Sequence, residues 1–393
     1  MGNRTMRGEV AIIGVGETTY YKRGRSPDPE FKLVIEAILK ASADAGIDPR
    51  EIDGFASYSN DRNDPSRIAA ALDIKDLRFS NMEWGGGGGG GSAACAHAAS
   101  AVATGLADTV VVFRGLAQGQ FGRFGQGARV PHVRGDQAYT APYGLMSPAQ
   151  SFAMRIHRLY EDHGITQDTL KACSLASYHH AQNNPRAVMY GRPLTPEDYD
   201  ASRWIVEPFH LFDCCQENDG AAAMIFVSAD RAKDYAKTPV YFLGGAVGSG
   251  NRAGSGSHNA TDYATSNFKT VAPRMYEMAQ VKPEEVDVAQ VYENFTGGVV
   301  MSIIEHGLTT YEEANEFITF ENLTAPNGKM PINTSGGNLA ECYMHGLELN
   351  IEAVRQVRGE SCNQVDDVNV SLVASGPMVT PVSDMIVGSE AVL

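Results

Sequence analysis

The stretch AGIDPREIDGF, residues 45–55, returns as AQVKPEEVDVA at 279–289, 234 positions later (279 against 45). Each copy lies between an apolar helical pattern and an apolar strand pattern. Upstream of the first, EVAIIGVG (9–16) reads as a buried strand. Asp28 and Pro29 then offer an N-cap and a first helical position, Phe31, Val34, Ile35, Ile38 and Ala41 follow at helical spacing, and Gly46 stops the run. Downstream, IDGFASYS (52–59) is a strand, a glycine run (85–91) opens an apolar helix over 92–104, and TVVVFRG (109–115) is a third strand. In the second half SGGN (335–338) leads to another helix and then to the strand VNVSLVASG (368–376). Strand, helix, strand, helix, strand is the signature of a layered α/β fold. Two copies of one unit imply a pseudo-twofold chain with two central sheets. The blander reading makes the motif a common helix–strand junction.

The halves are expected at 1–115 with 211–237, and at 238–393. The stretch between, 116–210, is rich in Gly, Pro, His and Tyr and reads as a loop insertion carrying a helix at 150–163. Its neighbouring histidines, His179 and His180, point in different directions if helical, so they are not read as a metal site.

The chain has 393 residues, 43% of them hydrophobic and 20% charged, enough apolar content for a large core. Its formal charge of −15 disfavours non-specific nucleic-acid or anionic-membrane binding. No apolar run is long enough to span a bilayer, and the first residues lack a signal-peptide core. Gly2 follows Met1, but Met6 breaks the myristoylation pattern. Six scattered cysteines show no zinc spacing. A reduced, cytoplasmic protein is expected, with no metal.

Several blocks carry a family resemblance. NDGAAAMIFVS (218–228), HHAQNNPRA (179–187), GLADTVVV (105–112) and INTSGGNLAECYMHG (332–346) resemble, in order and across nearly the whole chain, the thiolase superfamily in its sterol-carrier-protein-like branch. The resemblance implies the five-layer αβαβα fold and a homodimer. The catalytic positions depart from it. The nucleophilic Cys of thiolases falls on Gly88, the second Cys on Val373, the catalytic His on Tyr343 of CYMH, and the Asn or His of the N-E-A-F block on Tyr292 of YENF. Cys95 lies about two helical turns beyond the helix mouth. Condensation through an acyl-enzyme needs a thiolate, so this chain is not expected to perform it.

Without the nucleophile, an acyl-CoA pocket still suits proton transfer and enolate stabilisation, the two needs of a retro-aldol cleavage. Tyr343 is the expected base and Tyr292 the proton donor, with the reverse open. A phenol near pKa 10 must be depressed to act as a base at neutral pH, and burial alone would raise it. His345 is a rival base or a substrate contact. The N–H groups of Gly88 and Ser375 are candidates for an oxyanion hole, and Gly88 is expected to leave room for a branched β-carbon. A flexible linker is the plainer reading of the glycine run, and a dinucleotide motif a weak one. Arg114, Arg123, Arg129 and Arg134, interleaved with Phe121, Phe124 and His132, are candidates to meet CoA phosphates or an acidic partner. His258 and Tyr263 fall where thiolases place a pantetheine-contacting loop.

YENF, CYMHG and the glycine run most resemble the lipid-transfer-protein-type steroid side-chain aldolases. That resemblance implies cleavage of a 17-hydroxy steroid C-20-carboxyl-CoA thioester to a 17-ketosteroid and propanoyl-CoA, with the CoA thioester as substrate and no covalently bound cofactor. It also implies a small zinc-ribbon/OB-fold partner protein. The rivals are a thiolase-like acyltransferase with a displaced Cys and a non-catalytic lipid-CoA carrier subunit.

Overall fold

The computed structural model describes residues 5–84, 87–121, 132–254 and 258–393. Its frame is built from β1 (Val10–Glu17), α1 (Glu30–Ala45), β2 (Gly54–Tyr58), β3 (Phe79–Glu83), α2 (Gly90–Ala103) and β4 (Thr109–Ala117). Helices α3 (Pro148–His163) and α4 (Gln167–Ala181) follow, then β5 (Asn218–Ser228) and β6 (Val240–Gly248). The chain continues through α5 (Phe268–Ala279), β7 (Val288–Val291), α6 (Thr296–Glu305), α7 (Leu347–Arg358), β8 (Val370–Ser375) and β9 (Val382–Gly388).

The repeated phrase has a physical content at each end. Asp48 and Glu51 close a capping box around the turn Pro49–Glu51, and the turn Pro283–Glu285 keeps half of it, with Glu285 reaching back to the Lys282 N–H. The final Asp then holds the start of a neighbouring strand. Asp53 accepts from the N–H groups of Asp108 and Thr109 before β4, and Asp287 from those of Asn369 and Val370 before β8. The motif recurs because each half must set the same pair of parallel strands side by side.

Strand order repeats as well. The sheet runs β7-β8-β9-β6-β1-β5-β4-β2-β3, with Tyr21–Lys22 paired to β5 as a tenth strand. In the first half β1 and β4 flank β5 antiparallel, and β2 lies parallel to β4 and β3. In the second, β6 and β8 flank β9 antiparallel and β7 lies parallel to β8. The counterpart of β3 shrinks to a single parallel bridge, Ala289 to Ile332. The expectation of two sheets needs correction. Ala11 pairs with Tyr241 and Ile12 with Val240, so β1 and β6 join both halves into one continuous sheet.

Helices α2 and α7 each touch strands of both halves and form the central layer, while α1 covers β1, β5 and β4, and α5 covers β6 and β9. This is the layered αβαβα arrangement, with the two halves of the joined sheet as its β layers. The outer helices sit close because glycines face them. A Cβ at Gly16 would run into the backbone of α1 at Ala37 and Ala41, and one at Gly244 would lie 2.6 Å from the Ala279 N of α5. Helix α1 starts one residue later than expected, since Pro29 is extended and itself occupies the cap position; Gly46 ends the helix in the left-handed region (φ 75°). SGGN enters a single π-helical turn, Gly337–Glu341, before α7 begins.

Gly16→Ala should destabilise the protein by overpacking, on the scale of about 1–3 kcal/mol, because the obstructing atoms are helix backbone. Chemical denaturation checks this; an unchanged midpoint would mean that α1 stands off β1.

Candidate functional site

Two loops are locked to each other at the sheet's carboxyl end. After β7 the Tyr292 N–H donates to the Ala374 carbonyl at 2.9 Å. The Glu293 N–H donates to Asn338 Oδ1 at 2.9 Å, and the Asn338 N–H returns to Glu293 Oε2 at 2.7 Å. Asn333 brackets Val291 from both sides, accepting from its N–H at 2.7 Å and donating to its carbonyl at 2.8 Å. YENF and NTSGGN are thereby held as one unit. Gly337 (φ 56°) is required there, because a side chain would strike the Glu293 carboxyl. Past the π turn, the Tyr343 N–H donates to Asn218 Oδ1 at 2.8 Å. The lock brings Tyr292 and Tyr343 together, with the Tyr292 hydroxyl donating to that of Tyr343 at 2.6 Å.

The Tyr292 ring lies in a slot walled by two glycines. A Cβ on Gly346 (φ 86°) would sit 2.7 Å from its Cδ2, and a Cβ on Gly88 would collide with the ring and its hydroxyl. The space opened by Gly88 is therefore filled by the Tyr292 phenol and is not left for a branched substrate carbon. That corrects the expectation, and it also excludes a thiol at position 88 while Tyr292 stays in place.

Both phenols are buried. Burial pushes the hydroxyls of Tyr292 and Tyr343 well above the ordinary value, opposite to the depression expected for a base. The two are not equivalent. Their shared hydrogen bond favours the Tyr343 anion and disfavours that of Tyr292, and the Arg114 charge adds to the first effect.

The other predicted residues divide. His345 lies edge-on to Tyr343, ring centroids 5.2 Å apart. Burial and the charges of Arg114 and Arg62 hold its imidazole well below the usual range, so it is a poor base. Ser375 is at the mouth of α2, but its hydroxyl accepts from the Ser92 N–H at 3.2 Å and pairs with the Ser92 hydroxyl at 2.8 Å. Gly376 (φ 69°) abuts the Gly89 backbone, so the end of β8 and the glycine run are neighbours. His258 and Tyr263 form a separate contact, with rings 5.0 Å apart and His258 Nε2 3.3 Å from the Tyr263 carbonyl. Arg123 lies outside the described residues, as do Phe124 and Arg129. Arg114 is not available to phosphates, since it is buried and paired with Asp61 at 2.9 Å. His180 is satisfied, with Nε2 accepting from the Ala325 N–H at 2.9 Å and Nδ1 facing the Asn333 carbonyl at 3.2 Å. No metal-binding group occurs among the described residues.

Sequence reasoning missed four groups. Glu293, wholly buried beside Tyr292, is pushed up to about 7 by desolvation. Glu348 beneath the pair is also raised by burial. Tyr58 stands at the end of β2, 234 positions before Tyr292, and donates to the His345 carbonyl at 2.9 Å; the repeat itself was the signal for it. Cys215 accepts a hydrogen bond from the Tyr343 hydroxyl, and burial pushes this thiol up to about 12. A thiol is thus present, but it is held protonated and its neighbouring charges, Glu217 and Glu293, are acidic. Cys95 is buried and its thiol is likewise raised.

Comparison with known proteins gives the chain its family. A thiolase C-terminal domain-like family model matches residues 249–388. A steroid side-chain-cleaving aldolase of Thermomonospora curvata is 38% identical over 98% of each chain. The 17-hydroxy-3-oxo-4-pregnene-20-carboxyl-CoA lyase of Mycobacterium tuberculosis is 38% identical over 98% of this chain and 100% of its own. The chain belongs to the thiolase superfamily, in the branch of the steroid side-chain-cleaving aldolases. Among solved structures, the Ltp2-ChsH2(DUF35) aldolase superposes with a TM-score of 0.90 at 36% identity, covering 98% of this chain and 99% of that one. Human mitochondrial 3-ketoacyl-CoA thiolase shares the fold, with a TM-score of 0.69 at 14% identity over 98% of this chain and 100% of that one.

Restoring a thiol by Gly88→Cys should displace Tyr292, lowering aldolase turnover at least about tenfold without producing thiolase activity. Cleavage and acyl-transfer assays on the purified variant check this. Full aldolase activity in Gly88→Cys would show that the slot is not closed.

Proposed function

We propose that this chain is a carbon–carbon lyase that cleaves the Cα–Cβ bond of a β-hydroxyacyl-CoA, with a 17-hydroxy steroid C-20-carboxyl-CoA as substrate and a 17-ketosteroid and propanoyl-CoA as products. The observation that carries it is the hydrogen-bonded tyrosine pair seated in the glycine slot. The full-length similarity to two enzymes of that named activity supports it.

The roles follow from proton accounting. Tyr343, as its anion, takes the proton of the β-hydroxyl. The resulting alkoxide becomes the ketone as the Cα–Cβ bond breaks, and the bonding pair enters the thioester as an enolate. Tyr292 gives its proton to the enolate carbon and recovers one from Tyr343, which returns both phenols to their starting state. The Tyr292 hydroxyl already donates to Tyr343, the direction that favours the Tyr343 anion. N–H groups of Gly88 and Ser375 receive the enolate oxygen at the mouth of α2, as an oxyanion hole. His258, Tyr263 and Arg123 contact the CoA arm. CoA enters only as the substrate's thioester, with no covalently bound cofactor.

A second polypeptide belongs to the proposal. The name of the Ltp2-ChsH2(DUF35) aldolase pairs two components, and we assign this chain a small zinc-ribbon/OB-fold partner that completes the acyl-CoA site, on a homodimeric, cytoplasmic enzyme. No helix among the described residues is long and apolar enough to cross a membrane.

The deciding experiment incubates this chain, alone and with such a partner, with the steroid acyl-CoA and identifies products by mass spectrometry. A 17-ketosteroid and propanoyl-CoA in equal amounts are expected; recovery of intact thioester under both conditions overturns the assignment. Tyr343→Phe and Tyr292→Phe should each lower kcat at least about 100-fold, the scale of a lost acid or base. Either variant with full turnover removes that tyrosine from the chemistry.

The pH profile has a definite sign. The Tyr343 hydroxyl lies above its ordinary value, so its anion is a small fraction at neutral pH and grows about tenfold per pH unit. kcat/KM should therefore climb from pH 6 to pH 9. A level profile over that range would rule out a phenolate base.

A further inference from the structure

We infer that Arg114, backed by Asp61, is a positioning residue that fixes His345 as a neutral imidazole with its proton on Nε2, so that His345 serves the site as a hydrogen-bond donor and not as a base. Arg114 Nη2 lies 3.0 Å from His345 Nδ1. A guanidinium carries only donors, so Nδ1 must be the acceptor and the ring proton must sit on Nε2. The tautomer follows from the chemistry of the partner.

Both terminal nitrogens of Arg114 are held in place. Its Nη1 donates to the Tyr58 carbonyl and to Asp61 Oδ2, both at 2.9 Å. Its guanidinium lies over the Tyr58 ring, 5.3 Å from the centroid. Asp61 is fixed in turn, accepting from the Gly115 N–H at 3.2 Å and the Asn63 N–H at 2.8 Å. His345 is held from behind by the Tyr58 hydroxyl on its carbonyl, and its backbone is in the left-handed region (φ 55°) that a residue with a Cβ rarely adopts. Strain of this kind persists where surrounding contacts impose it.

Charged and aromatic groups from several elements face His345. Arg114 comes from β4, Arg62 adds positive charge from the segment after β2, and the phenols of Tyr58 and Tyr343 flank the ring. Asp61 acts on it through Arg114. Two cations beside a buried imidazole oppose its protonation. If the aldolase assignment above holds, the atom such a donor serves is a substrate oxygen that gains negative charge, the case in which a neutral imidazole donates without releasing its proton.

The first test needs no substrate. In the full-length protein labelled with 15N at histidine, with His345→Phe used for assignment, the wild-type His345 resonances should show an unprotonated Nδ1 and a protonated Nε2 from pH 8 to pH 5. In Arg114→Met, made together with Asp61→Asn so that no buried carboxylate is stranded, the same resonances should titrate at higher pH than in the wild type and lose the fixed preference for a proton on Nε2. Titration at the ordinary midpoint of about 6.5 in the wild type, or a proton on Nδ1, overturns the lock whether or not the variant folds. In turnover, His345→Phe should lower kcat about 100-fold, the scale of a lost oxyanion donor, and His345→Gln, which keeps a donor, should recover part of it. Full activity in His345→Phe removes its service to substrate. A locked tautomer in a protein that cleaves no acyl-CoA sinks the aldolase assignment and leaves the lock standing.

Discussion

The hydrogen bond between Tyr292 and Tyr343 depends on a slot too narrow for any side chain at positions 88 and 346. A Cβ on Gly88 would meet the Tyr292 ring at Cζ and Cε2 and one on Gly346 would meet it at Cδ2 and Cε2, and the ring occupies what a side chain at 88 would need. Acyl transfer through a thiol at that position and proton transfer through this phenol are thus mutually exclusive. Gly88 is a steric condition for the tyrosine pair.

Behind that pair stands a layer of polar groups in a buried place. Glu293 and Asn338 each donate a backbone N–H to the other's side chain across two loops, Asn333 brackets Val291, and Arg114 with Asp61 braces His345. Leaving any of these unpaired in the interior would cost about 1–3 kcal/mol, more for a charge. Such networks set a unique geometry more than they add stability. Here they hold two hydroxyls at hydrogen-bond distance from separate parts of the chain, 51 positions apart.

The internal repeat also organises the site. Tyr58 and Tyr292 stand at equivalent ends of β2 and the strand pairing of β7, Tyr58 against Gly90 at the start of α2 and Tyr292 against Gly88 in the turn before it; a Cβ on Gly90 would lie 2.5 Å from the Tyr58 Cβ. The two copies have separate duties. Tyr292 bonds the Tyr343 phenol, and Tyr58 anchors the backbone of Met344 and His345. Pseudo-symmetry supplied the position twice, and the departures from symmetry in the segment between the π turn and α7 gave it two uses.

Much of this was legible in the residues. DPREID and KPEEVD marked the two halves because a glutamate closing a tight turn and a strand-start aspartate are local chemistry, settled within a few positions. The run of buried strands, the stop at Gly46 and the helix after the glycines were legible for the same reason. Tyr292, Tyr343 and Gly88 were found by position within recognisable blocks. What the sequence left undetermined all involved distance in space. The join of β1 to β6, the filling of the Gly88 space by Tyr292, the nearness of Cys215 to Tyr343 and the burial of Arg114 each bring together groups far apart in the chain. Burial then decided the electrostatics: it raised both phenols where a depressed base was expected, because desolvation is a property of the packed interior and no residue type carries it alone.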